Sequence, residues 1–247
     1  MKAIIIAAGS GKRFNSKGKE LPKSMIPVNK KPIIEYQISS LNQVGIDEIH
    51  IITGPYSDKF NLKNVNYIKD LNFLEHDILG SLMEAKNYLN SDVVILYSDI
   101  LFEKEIITEI LESQSDISIA VDMNWEKMYD GRTQHPKNEA ENVQIENKKI
   151  VKIKKNLTNS NKDVGEFLGI LKLTTKGCKI LVEIHNELIN YHKTKFHEAP
   201  SISKAYITDM IQELIDRDVR VEPILITGKW CEIDTEEDLI KAEKIFK

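Results

Sequence analysis

Cysteine is scarce: two residues among 247, Cys178 and Cys231, with no CxxC pair and no ligand cluster. That excludes a disulfide scaffold and a thiolate metal centre, and it fits a reduced compartment. The 7 prolines and 11 glycines are scattered, which excludes collagen-like or linker-divided architecture. No apolar run approaches the ~20 residues of a membrane span. Lys2 precedes an apolar run, but residues 3–8 are too few for a secretory leader, and Gly9-Ser10-Gly11-Lys12-Arg13 follows at once. Neither sign of charge dominates: 34 Lys+Arg against 38 Asp+Glu leave a net charge of −4, which argues against a nucleic-acid partner. The expectation is a cytoplasmic protein with neither membrane nor nucleic acid as partner. What is present, 41% hydrophobic and 29% charged residues, suits one α/β domain burying roughly 70–75% of its unfolded surface.

Hydrophobic patterning fills in that class. Residues 3–7 are apolar on both faces, as in a central parallel strand. Residues 32–44 start at Pro32, end before Gly45 and carry Ile34, Ile38 and Leu41 at helical spacing. Strands at 48–53 and 65–69, a helix at 78–89, a strand at 93–97, a helix at 103–113 and a strand at 117–121 follow. This alternation predicts a Rossmann-like α/β fold: three layers, α/β/α, around a mixed, mostly parallel sheet. The second half is less regular. It reads as a hairpin (143–145 and 150–154), a strand (166–173), helices (176–191 and 205–216), a strand (219–225) and a closing helix (235–246). We read one domain over 1–247, with a nucleotide part at 1–121, an acceptor part at 122–234 and the closing helix at 235–247.

The first strand runs into Ala8-Gly9-Ser10-Gly11-Lys12-Arg13. Small residues there let backbone N–H groups approach a phosphate. A dinucleotide fingerprint fails, because Phe14 stands where a third small residue is needed and no acid ends the second strand. A P-loop fails too, since Glu20 follows Gly18-Lys19. A purely structural turn stays open. Between Lys12 and Lys31 there are seven basic residues and one acid, a segment of net +6. Lys17, Lys19, Lys30 and Lys31 fit a solvated face. Arg13, closing the loop, and Lys23, held behind Pro22, could instead stabilise charge on a leaving phosphate.

Ala7-Ala8-Gly9-Ser10-Gly11-Lys12-Arg13 followed by Pro22-Lys23 resembles the opening of the nucleotidyltransferase superfamily that makes activated sugars and phosphocholine. The likeness continues at residues 31–36, returns at Ser98-Asp99 and Glu232-Ile233-Asp234, and so spans nearly the whole chain. It implies that Ala8, Gly9, Ser10, Gly11 and Lys12 bind nucleotide, and that Arg13 and Lys23 are catalytic. It also implies that Asp99 and Asp234, aided by Glu232, hold Mg²⁺.

The residues themselves are compatible with that assignment. Asp99 follows an apolar strand at its carboxyl end, where ligands gather in open α/β sheets. Glu232 and Asp234 are two apart on an expected strand and would share a face. Mg²⁺ takes one or two carboxylates plus phosphate oxygens. Thr235 with Glu236, Glu237 and Asp238 reads as a helix cap, leaving Asp234 for another task. The six histidines (50, 76, 135, 185, 192, 197) show no ligand spacing and read mostly as surface residues.

Leu79-Gly80-Ser81-Leu82 stands about where the family reads the base, so Ser81 could bond a base edge or cap its helix. Asn124-Trp125, Tyr129-Asp130-Gly131-Arg132, His135-Pro136 and residues 139–143 resemble the cytidylyltransferase branch acting on small phospho- or phosphono-amines. Glu166-Phe167-Leu168-Gly169 and Tyr206-Ile207-Thr208-Asp209 fit the same branch. That likeness implies an acceptor site that includes Glu166; Trp125, Tyr129 and Trp230 could face a cationic amine, with Asp122 or Asp130 supplying charge, and Arg132 could fork onto phosphorus oxygens. Trp125 and Tyr129 could equally pack a long loop, and residues 130–138 read as a lid or binding loop. The expected partners are a nucleoside triphosphate, CTP favoured, and a small phosphorylated or phosphono acceptor. The sequence assigns no oligomeric state. The rival readings are a sugar-1-phosphate nucleotidyltransferase, a noncatalytic nucleotide sensor and, weakest, an NAD(P) oxidoreductase.

Overall fold

The computed structural model describes residues 1–9, 21–157 and 163–247. In chain order its strands and helices are β1 (Lys2–Ala7), β2 (Pro27–Val28), β3 (Lys31–Pro32), α1 (Ile33–Gln43), β4 (Ile49–Thr53) and β5 (Asn66–Lys69). Then come α2 (Ile78–Glu84), β6 (Val93–Tyr97), β7 (Ile100–Phe102), α3 (Lys104–Leu111), β8 (Ile117–Asp122), β9 (Glu141–Glu146) and β10 (Lys149–Lys155). The chain ends with β11 (Asp163–Leu173), α4 (Thr175–Tyr191), α5 (Ile207–Asp216), β12 (Glu222–Leu225), β13 (Trp230–Glu232) and α6 (Glu236–Ile245).

Nine strands form the main sheet in the order β10-β9-β11-β6-β1-β4-β5, with β8 also on β11 and β12 on β8. β1 pairs in parallel with β4 and β6, and β4 with β5. β11 runs against β6, β8 and β9, and β10 runs against β9. With β12 parallel to β8, seven of the nine strands point the same way and β10 and β11 run against them, as expected of a mixed, mostly parallel sheet. The period-2 alternation of β1 explains the layers. Ile4 and Ile6 face a cluster with Leu79 of α2, Leu181 of α4 and Met210 of α5. Ala3, Ile5 and Ala7 face the opposite cluster with Ile34 and Leu41 of α1 and Ile106 of α3. Strand β1 is buried on both sides, as its apolar run requires.

Several boundaries move. The helix expected at 78–89 ends at Glu84 and continues as a 3₁₀ turn over Lys86–Tyr88. The strand expected to carry both Glu232 and Asp234 stops at Glu232. Asp234 lies beyond it because its N–H donates to Asp238 Oδ2 at 3.0 Å, where α6 begins. Thr235 and Asp238 form a reciprocal capping box there, so these two serve the helix as the sequence suggested. Patterning alone gave no sign of β7, which pairs antiparallel with β13 so that Ile100 stands opposite Glu232. That short ladder positions the site.

Candidate active site

Three segments far apart in sequence converge beyond the carboxyl end of β6. Pro22 starts a 3₁₀ turn over Lys23–Met25, closed by the Met25 N–H donating to Pro22 O at 2.9 Å. The β7–β13 ladder is extended by the Ile233 N–H donating to Asp99 O at 3.0 Å, which puts Asp99 beside Asp234. Gln37 of α1 fixes the same turn from below, donating from Nε2 to Tyr97 O at 2.8 Å and Ile100 O at 2.7 Å. The Lys23 ammonium lies 2.7 Å from Asp99 Oδ2 and pairs with Asp234 Oδ1. The three side chains are 19%, 23% and 8% exposed, so their charges act in a partly desolvated place.

This triad sits on the wall of a cavity of about 550 Å³ that also meets Ala8, Gly9, Asp77, Ser81 and Lys204. Three of the expected nucleotide-binding residues, Ala8, Gly9 and Ser81, therefore share one space with Lys23. Ser10, Gly11, Lys12 and Arg13 lie outside the described residues.

A second cavity of about 220 Å³ adjoins the first through Tyr97, Asp99 and Asp234. Its acids are Glu139, Glu141, Glu166 and Glu232, its rings include Tyr129, Tyr206 and Trp230, and Lys155 is its lysine. Burial pushes Glu141 up to about 8. Burial, with Glu232 nearby, raises Glu166 well above the ordinary carboxylate range. Burial and the neighbouring Asp99 raise Glu232 as well. Carboxyl groups crowded this way favour a cation among them. Trp230 is held by its indole N–H donating to Asp122 Oδ2 at 2.8 Å, so Asp122 orients the ring. Tyr129 donates to Glu166 Oε1 at 2.5 Å. Gly169, at φ +66°, has no Cβ to collide with the Tyr97 ring at 2.4 Å, which lets Tyr97 stand between the two cavities.

Other expected acceptor residues are placed differently. The Arg132 side chain is 5% exposed, with Nε 2.6 Å from Asp238 Oδ1 and Nη2 3.4 Å from Glu232 Oε2. It also stacks 4.6 Å from the Tyr129 ring centroid. The guanidinium is thus drawn toward the protein's own Asp238, Glu232 and His135 rather than standing open to a ligand. Trp125 packs edge-on against Tyr129 at 5.5 Å and donates to Val164 O at 3.1 Å. It serves the core, the packing alternative left open by the sequence. Asp130 is exposed and does not line the second cavity, so it is not placed to supply charge there. Glu237 accepts from Thr133 and Gln134, so the 130s loop is pinned to α6. The histidines are corrected too: His50, His135 and His185 are buried and the other three half-buried. His135 Nδ1 lies 2.8 Å from Asp234 Oδ2. Sequence reasoning assigned no role to His135, Glu141 or Lys155, although His135-Pro136 and residues 139–143 lie in the stretch that resembles the cytidylyltransferase branch.

The acids at the triad fit Mg²⁺. Asp99 Oδ1 is buried and has no hydrogen-bond partner among the described residues. Asp99 and Asp234 offer the hard carboxylate oxygens that Mg²⁺ prefers. Glu232 is drawn instead toward Arg132 and His135, whose Nδ1 is 3.5 Å from its Oε2.

A cavity of about 550 Å³ beyond the carboxyl end of parallel strands, walled by a lysine between two aspartates, fits an α/β enzyme that takes a nucleotide-sized ligand. The chain belongs to the MobA-like NTP transferase domain family, whose model matches residues 3–154. It is 26% identical over 261 residues to the CTP:phosphoglutamine cytidylyltransferase of Campylobacter jejuni subsp. jejuni, covering 99% of this chain and 100% of that protein. A bifunctional sugar-1-phosphate nucleotidylyltransferase/acetyltransferase of Sulfurisphaera tokodaii is 30% identical over 80% of this chain, which spans 50% of that longer protein. The CTP:phosphocholine cytidylyltransferase of Streptococcus pneumoniae superposes with a TM-score of 0.72 at 22% identity, over 100% of this chain and 99% of that one. The protein is a nucleotidyltransferase. No helix among the described residues is long and apolar enough to cross a membrane.

Proposed function

We propose that the protein transfers a cytidylyl group from CTP to a small phosphorylated or phosphono-amine, with Mg²⁺, and releases pyrophosphate. The observation that carries the acceptor class is the second cavity. It is small, ringed by aromatics and crowded with carboxyl groups that burial makes harder to ionise. An ammonium group relieves that crowding and meets the faces of Tyr and Trp, worth roughly 0.5–2 kcal/mol per good contact. The relatives that act on CTP support the choice of nucleotide.

In the reaction an acceptor oxygen on phosphorus attacks the α-phosphorus in line. A new P–O bond forms as the bond to the β-phosphate oxygen breaks, and pyrophosphate carries away the charge. The nucleophile is already anionic, so no general base is needed; the protein must hold two anions together. Asp99 and Asp234 would hold Mg²⁺, which when bound neutralises phosphate charge. Lys23 sets its ammonium against the phosphate oxygens, and Arg13 takes the same task from its place in the loop motif. Lys155 is the cation available to the acceptor's phosphorus oxygens in the second cavity. Glu141, Glu166 and Glu232 orient its ammonium.

Pyrophosphate release with Mg²⁺, measured for CTP, UTP, ATP and GTP against phosphocholine, 2-aminoethylphosphonate and glucose-1-phosphate, tests the reading. Release with CTP and an amine acceptor supports it. Release with the sugar phosphate alone would overturn the acceptor assignment, and nucleotide binding without release would favour a sensor.

A further inference from the structure

Ser81 lines the larger cavity beside Asp77 and Ile78. Its hydroxyl donates to Asp70 Oδ2 at 2.7 Å in a buried bond. Asp70 is 2% exposed and Ser81 6%. The carboxylate is fixed on its other side, where Oδ1 accepts the Asn72 N–H at 3.0 Å and lies 3.2 Å from His76 Nε2. His76 in turn lies against α2 at Gly80, where a Cβ would come within 2.4 Å of its Cγ. The one proton of the Ser81 hydroxyl is committed to Asp70 by that bond. In every other direction the Ser81 oxygen can only accept.

We propose that Asp70 is a positioning residue that fixes Ser81 as a hydrogen-bond acceptor toward the nucleobase. The site then takes a base with an exocyclic amino group and rejects its oxo counterpart. This rests on the cytidylyl reading above and names the residue pair behind it. The 4-amino group of cytosine donates to Ser81, whereas the 4-oxo group of uracil sets lone pair against lone pair. A mismatch of this kind at one buried polar contact changes affinity by about tenfold to a hundredfold.

The test is equilibrium binding of CTP and of UTP, with Mg²⁺, to the full chain and to D70N, S81A and the double variant. Wild type is expected to favour CTP by about tenfold to a hundredfold. An amide at position 70 can donate to Ser81, freeing the serine proton for an oxo group, so D70N should narrow the ratio mainly by gaining UTP. S81A should lose the preference, and the double variant should match S81A, because Asp70 acts through Ser81. A merely structural role for Asp70 would weaken both nucleotides together. A wild-type ratio in folded D70N, or an equal D70N effect without Ser81, would overturn the proposal. If D70N does not fold, an unchanged ratio in S81A overturns it alone. Wild type indifferent between the two nucleotides would sink the cytidylyl reading itself; a selective wild type with unmoved variants would sink only this inference.

Discussion

Lys23→Met removes the ammonium while keeping the apolar stem between Asp99 and Asp234. In the wild-type protein that ammonium lies 2.7 Å from Asp99 Oδ2 and also pairs with Asp234, on a side chain 19% exposed. Near a protein surface one unit charge acting on another at 4 Å is worth about 4 kcal/mol. Charge stabilisation that grows as pyrophosphate departs should then be of order 2.7–4 kcal/mol, or about 10²–10³ in kcat. Steady-state pyrophosphate release should show that loss, with the acceptor KM nearly unchanged because Lys23 does not line the acceptor cavity. The substitution should have a second signature. Without their internal cation, the two aspartates should bind Mg²⁺ or Mn²⁺ more tightly in the absence of nucleotide. A near-normal kcat would return Lys23 to the solvated basic run. Unchanged metal affinity would show that lysine and metal do not share these carboxylates.

Asp99→Asn should abolish Mg²⁺-dependent turnover with only a small fall in melting temperature, because the Lys23 ammonium that loses Asp99 Oδ2 keeps Asp234 as its partner and Oδ1 has no hydrogen-bond partner to lose. Turnover at the wild-type level would remove Asp99 from the site. Arg132→Met breaks a pair whose side chains are 5% and 1% exposed, a loss of about 3–5 kcal/mol. At roughly 2–4 °C per kcal/mol for a chain of this size, calorimetry should show a fall of about 6–20 °C. A variant that melts normally but loses acceptor affinity would instead place Arg132 on the substrate. Burial lowers the His185 imidazole from 6.5 to about 4. The folded protein thus resists a proton that the unfolded chain accepts. The contribution to stability is present above about pH 6.5 and is lost as the pH falls toward about 4. His185→Leu should flatten denaturant-measured stability across that window, and an unchanged slope would assign the acid loss to other groups.

Much of the frame was legible because it is written locally. The both-faces-apolar run of β1 and Ile34, Ile38 and Leu41 of α1 identify their elements from neighbours a few residues away. The motif that ends in Pro22-Lys23, with Asp99 at a strand end and Asp234 before a cap, marked the polar centre for the same reason. The structure brings Lys23, Asp99 and Asp234 together. What was not legible depends on which distant groups meet. Arg132 looks like a substrate-gripping fork in sequence, but α6 delivers Asp238 to it across 106 positions. His135 shows no ligand spacing, yet its loop returns beside Asp234. Glu141 is an ordinary hairpin residue until burial raises it, against the lowering effect of the bond it accepts from the Tyr97 hydroxyl. Residue periodicity and turn chemistry determined most of the elements and pointed to Lys23, Asp99 and Asp234, since hydrogen bonding and side-chain direction along the chain are short-range. Only the tertiary structure decided the lining of the second cavity, because burial, charge pairing and the polarity of a hydroxyl belong to neighbours that folding alone brings into contact.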